Sequence, residues 1–268
     1  MIHSSHPRTL FFLSSLAACL TLVIAGYSLF DMSVYKPTTP DPLLPGAVSQ
    51  DIISMVAAAG LLICLAAIQG GREMAWLIWV GFLGYLFYAY ALYCFEGLFN
   101  PLYLGYVAIL GLTVYALILF FAVANLDSVR PREGKRVPRR GAAFLFLVLV
   151  VMFVMLWLSI LIPAMQDLLA PDGSTIFVLD LAFFLPLLSI EAVLLFREKP
   201  LGDALSIPLL IKVGTLGLSV LIGTLLAPVF GQSLDLASIG IYALVGLGPL
   251  LFAVQFVRSL VIGYSSIA

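Results

Sequence analysis

Four ionisable side chains stand within otherwise apolar runs of this chain: Glu96, Asp180, Glu191 and Lys212. Such a group at the centre of a lipid bilayer costs on the order of 2.5–3.5 kcal/mol on insertion scales, so each needs a partner or a function. Counted at ~1.5 Å per helical residue from the inner face, Glu191 lies about 7 Å deep, Lys212 about 12 Å, Asp180 about 24 Å and Glu96 about 33 Å. Glu191 and Lys212 thus share a depth on adjacent antiparallel helices and form the best candidate ion pair. Asp180 has no partner at its own depth unless Lys212 stretches outward or tyrosine hydroxyls of the third and fourth spans turn toward it. Glu96 falls near the outer interface. Pro186, about a turn and a half beyond Asp180, kinks its helix and frees a carbonyl that needs a partner or water.

These residues read in two ways. Glu191 and Lys212 form a structural pin between two helices, or Asp180, Glu191 and Lys212 line a polar cavity for a proton, an ion or a small solute. Tyr85 and Tyr88 share a face of the third span, and with Glu96, three turns on from Tyr85, they are candidates to contact a ligand near the outer leaflet. The other reading of the tyrosines is an interfacial belt with interhelical hydrogen bonds. No HExxH, GxSxG or phosphate-binding glycine loop occurs, so neither a catalytic residue nor a cofactor is expected. His3 and His6 are the only histidines, and a chain terminus makes a poor metal site. Cys19, Cys64 and Cys94 all fall in apolar runs and read as small hydrophobic fillers.

The elements that must position these residues follow from composition. The chain is 63% hydrophobic and 10% charged, with a mean hydropathy of +1.16. Soluble domains carry nearer ~25% charged residues. The apolar runs are long and unbroken, which predicts helices and not barrel strands. Eight spans are expected, at residues 10–30, 52–69, 74–99, 100–125, 142–165, 175–196, 204–227 and 239–257. Residues 31–50 form the one long connection, where Pro37, Pro40, Pro42 and Pro45 favour extended backbone. Trp76 and Trp79 fall at the inner end of the third span, where an aromatic belt is expected. Pro208 comes early in the seventh span, so regular helix is expected to begin nearer Ser206.

Charge sets the threading. The loop at 127–141 carries Arg130, Arg132, Lys135, Arg136, Arg139 and Arg140, six of the 13 lysines and arginines. A dense basic loop between apolar spans stays cytoplasmic, with anionic lipid headgroups as its expected partners and not nucleic acid. Both termini then lie inside, and the chain divides into a membrane half at 1–126, the basic loop at 127–141 and a second half at 142–268. The outer turns are acidic, with Asp31, Asp41, Asp51, Asp167, Asp172 and Asp235. The third span contains WVGFLGY and the seventh KVGTLGL, both of the form x-V-G-x-L-G-x, a faint trace of a parallel 4+4 duplication.

The stretch from Tyr85 to Leu117, YLFYAY…FNPLYLGYVAILGLTVYAL, together with LDLAFFLPLL…LLIKVGTLGL, resembles a group of uncharacterised bacterial and archaeal multi-pass membrane proteins. Asn100-Pro101, Asp180, Pro186 and Lys212 carry the likeness, which implies a fold group and no known activity. The expectation is an all-α polytopic helix bundle in the cell's inner (plasma) membrane. It would bind or transport a small solute, ion or proton through the polar residues of spans six and seven. The alternative is a non-catalytic structural or assembly subunit of a membrane complex.

Overall fold

The computed structural model describes residues 7–36 and 38–263. His3, His6 and Ala268 lie outside the described residues. Among the described residues eight helical spans are long and apolar enough to cross a membrane. They are α1 (Pro7–Phe30), α2 (Leu44–Gln69), α3 (Ala75–Phe95), α4 (Tyr103–Val123), α5 (Arg139–Asp167), a sixth made of α6 (Ser174–Leu179) and α7 (Leu185–Phe196), then α8 (Pro200–Leu226) and α9 (Leu236–Ser259). The α6–α7 span is continuous through a π-turn, Asp180–Phe184. In lipid a helix is the one open-chain form that satisfies its own backbone, so unbroken apolar runs leave the chain no other choice.

In the first half α1 packs on α2 and α4, and α3 packs on α2 and α4, closing a four-helix ring. In the second half α5 packs on α7, α7 on α8, and α8 on α9. The α5–α9 contact that would close this second ring is slight. It lies near the start of α5, where a Cβ added at Gly141 would come within 2.8 Å of the Phe252 ring. The halves are not separate bodies, because α8 lies against both α2 and α3. α3 and α8 are the buried centre, whereas α5 presents its apolar side chains outward. In their most apolar windows 72% of α3 is buried and only 11% of α5. α5 therefore has the all-round apolar surface that lipid solvates.

The basic loop is tied down. β1 (Val129–Pro131) pairs antiparallel with β2 (Leu260–Ile262), with Arg130 opposite Val261. Arg139 donates through Nε and Nη2 to the two carboxylate oxygens of Asp203, both at 2.7 Å, and lies 3.3 Å from Glu198. Of the six cations expected to face headgroups, Arg139 is thus committed to the start of α8.

Several expectations are corrected. The long connection is shorter than the prolines suggest, since α2 begins at Leu44 with Pro45 in its first turn. A proline there forfeits only an N–H that has no helical partner anyway. Asp51 consequently lies inside the span and not in the outer turn. α8 runs from Pro200 straight through Pro208. Breaking it would expose more backbone to lipid than the one bond that proline removes. Trp76 and Trp79 point inward and stack edge-to-face at 5.5 Å, with the Phe120 ring against both. Tyr85, Tyr88, Tyr90, Tyr93 and Tyr106 are likewise buried and form no belt. The two V-G-x-L-G stretches do not share a packing role. Gly81 faces Ile211 and Pro208 on α8, while Gly214 and Gly217 face Leu250 and Gly246 on α9.

Candidate functional site

Asp180 is placed by a local irregularity that its own sequence creates. Pro186 has no N–H to give, and just before it the Leu185 N–H reaches back to the Asp180 carbonyl, five residues away, in the π-turn. The widened turn projects Asp180 into the molecule, where it is 5% exposed. Its carboxylate accepts from the Tyr88 hydroxyl at 2.7 Å and from the Trp157 indole N–H at 2.9 Å. Three spans therefore converge on one carboxylate: α3 through Tyr88, α5 through Trp157 and the sixth through Asp180 itself.

Lys212 completes the cluster from α8. Its Nζ lies 3.8 Å from the Tyr88 ring centroid and 2.8 Å from that of Phe184, and it has no hydrogen-bond partner. A cation over two aromatic faces is attracted by their quadrupoles, and one of those rings, Tyr88, also donates to Asp180. Depth counting placed Lys212 opposite Glu191. Because α8 begins at Pro200 rather than residue 204, Lys212 lies about 18 Å along it at ~1.5 Å per residue, nearer the level of Asp180.

Glu191 is fully buried and bonded instead to the Ser206 hydroxyl, at 2.9 Å from Oε1, while its Oε2 has no partner. Ser206 also lies 2.7 Å from the Gly202 carbonyl. Glu191 is therefore a strut between α7 and the first turns of α8, apart from the Asp180 cluster. The Tyr85 hydroxyl donates to the Gln50 carbonyl on α2 at 3.2 Å. Glu96, at the end of α3, accepts from the backbone N–H groups of Gly173 and Thr175, at 3.1 and 3.2 Å. It fastens the start of α6.

A cavity of about 830 Å³ leads to this cluster. It lies between α2, α3, α5, the sixth span, α8 and α9, and its wall includes Asp180, Tyr88, Trp157, Phe184 and Glu96. Glu191, Lys212 and Tyr85 are not part of the wall. Its size is in the ~300–1,000 Å³ range of small-molecule sites. At the far end, Asp235 caps α9. Its bonds with the Ser238 side chain and with the Ser238 and Ala237 amides hold its carboxyl below the usual range, so it stays ionised at neutral pH.

Asp51 is a second buried carboxylate that sequence reasoning placed outside. It is 1% exposed and accepts from the Tyr35 hydroxyl at 2.5 Å and the Tyr93 hydroxyl at 3.1 Å. α3 thus serves both carboxylates, Asp51 through Tyr93 and Asp180 through Tyr88. The tyrosine-rich wording of α3 is the signal that could have found them, because a buried tyrosine O–H must donate to something. No group of three or more His, Cys, Asp or Glu side chains suited to a metal occurs among the described residues.

Eight apolar spans around a buried polar cluster define a multi-pass integral membrane protein. Compared with known protein families, with curated proteins and with solved structures, the chain matches none.

Proposed function

We propose that the protein is a binding or transport-type membrane protein that takes a small solute at the Asp180 end of its cavity. The observation that carries this reading is the cavity itself, which reaches a buried carboxylate held by Tyr88 and Trp157, with Lys212 behind them. Burying these ionisable groups is expensive, and a pin needs neither a π-turn nor an open wall beside it. Asp180 and Lys212, the ionisable pair of spans six and seven, are the residues on which binding turns; Glu191 stands apart as a strut between α7 and α8. This reading keeps the basic loop cytoplasmic in the plasma membrane, and includes the likeness to uncharacterised bacterial and archaeal multi-pass proteins. The assembly-subunit alternative draws on the outward apolar face of α5, which lipid alone can cover.

The test is solvent access. Leu216 lines the cavity one turn from Lys212. In a chain with Cys19, Cys64 and Cys94 replaced by alanine, Leu216→Cys should react with a membrane-impermeant thiol reagent. It should do so only from the side opposite a cysteine placed at Arg136. A folded protein whose Leu216→Cys stays unreactive from both sides would remove the reading.

A further inference from the structure

The cavity has a charge character that the chain as a whole does not share. The sequence is nearly balanced, with 13 Lys and Arg against 14 Asp and Glu. Among the described residues the cavity wall carries four carboxylates, Glu96, Asp172, Asp180 and Asp235, and no lysine, arginine or histidine. Lys212, behind the Tyr88 and Phe184 rings, offsets part of this bias beside Asp180 and leaves the excess of carboxylates in place. Aromatic side chains beside a carboxylate make an environment that attracts positive charge by both the ring quadrupole and the full anion. Tyr88, Trp157 and Phe184 supply the rings next to Asp180.

Much of the rest of the wall is apolar, with Leu149, Phe153, Leu216 and Val220 among its side chains. α5 and α9 make only a slight contact, near Gly141 and Phe252. Farther along α5, Leu156 and Ile160 both face the cavity and are exposed.

We infer that the cavity takes a hydrophobic organic cation that enters from the lipid between α5 and α9. Its apolar body lies along α5 and α8, and its positive centre lies against Asp180 and the surrounding rings. This inference rests on the binding reading above and adds the chemical class of the ligand.

The experiment compares two ions of one shape and opposite charge. The full chain is placed in nanodiscs of phosphatidylcholine, and binding of tetraphenylphosphonium and of tetraphenylborate is measured separately by equilibrium dialysis against empty nanodiscs. Tetraphenylphosphonium should bind saturably and tetraphenylborate should not exceed the empty-disc background. Asp180→Asn should weaken tetraphenylphosphonium at least tenfold. Thr224→Lys puts a cation on the wall without touching the bonds of Asp180, and should weaken it as well. It carries the test alone if Asp180→Asn does not fold. Saturable tetraphenylborate binding overturns the cation assignment, as does tetraphenylphosphonium binding that neither substitution changes. So does a lack of tetraphenylphosphonium binding while Leu216→Cys still reacts, in which case the binding reading survives. If neither ion binds and Leu216→Cys is unreactive, both readings fall together.

Discussion

Asp180 shows how much one side chain can organise when water is excluded. Its two bonds come from neutral donors, the Tyr88 hydroxyl and the Trp157 indole. Removing the carboxylate leaves the buried Tyr88 hydroxyl without an acceptor, at a cost of about 1–3 kcal/mol, and the half-buried Trp157 indole at a cost of about 1 kcal/mol. Asp180→Ala should therefore lower stability by roughly 2–4 kcal/mol on that basis, read as an earlier midpoint in SDS-induced unfolding. The same variant should shift Trp157 emission, because the indole N–H loses its acceptor. An unchanged midpoint would mean that the cluster holds nothing together. Asp51 and Glu191 illustrate the other side of residue-scale reasoning. Both are buried and bonded to hydroxyls, yet neither lines the cavity. Burial of a charge marks a residue as special, and only its surroundings say for what.

Among the elements, the close approaches are made by glycine and differ sharply in tolerance. A Cβ at Gly217 would lie 2.7 Å from the Gly246 Cα on α9, so backbone would have to move. A Cβ at Gly84 would meet nothing nearer than the Lys212 Cγ, at 3.8 Å. Overpacking a tight contact costs about 1–3 kcal/mol, whereas an ordinary van der Waals contact costs nothing. Gly217→Ala should therefore destabilise by that amount and push α8 from α9, while Gly84→Ala should be neutral or slightly stabilising. Thermal inactivation of the two variants in detergent separates them; equal effects would contradict the helix packing described. The sixth span makes the complementary point. Its π-turn is a local departure from ideal helix, and it brings the Asp180 carboxylate within reach of both Tyr88 and Trp157.

Across the whole molecule, the basic loop is a fastening as well as a topological signal. β1 with β2 joins the loop to the chain after α9, and Arg139 joins it to α8 through Asp203. Asp203 is 2% exposed, so Arg139→Ala would leave a buried carboxylate uncompensated, at a cost of about 3–5 kcal/mol. The variant should unfold earlier and should expose the Arg130–Arg140 segment to trypsin. Wild-type cleavage kinetics in the variant would show that the pair is dispensable. Whichever way the protein is threaded, the β1–β2 pairing keeps the loop and the segment following α9 on one side of the membrane.

Hydropathy was enough to find the eight apolar spans. Lipid leaves an apolar run of about 20 residues a single way to satisfy its backbone, and that constraint is local. The outward-facing α5 was legible for the same reason. The suspicion that fell on Asp180, Lys212 and Tyr88 was equally local, since charge and hydroxyl groups in apolar runs are visible without any neighbour. Their mutual arrangement was not. Depth counting paired Glu191 with Lys212, and an error of four residues in where α8 begins was enough to displace that match. The run of prolines hid Asp51, because proline reads as loop until one knows that Pro45 occupies a helix's first turn. Which tyrosine meets which carboxylate, and the cavity where α5 stands away from α9, depend on tilt and on side-chain contacts between distant segments. A one-dimensional pattern carries neither, so tertiary packing alone decided them.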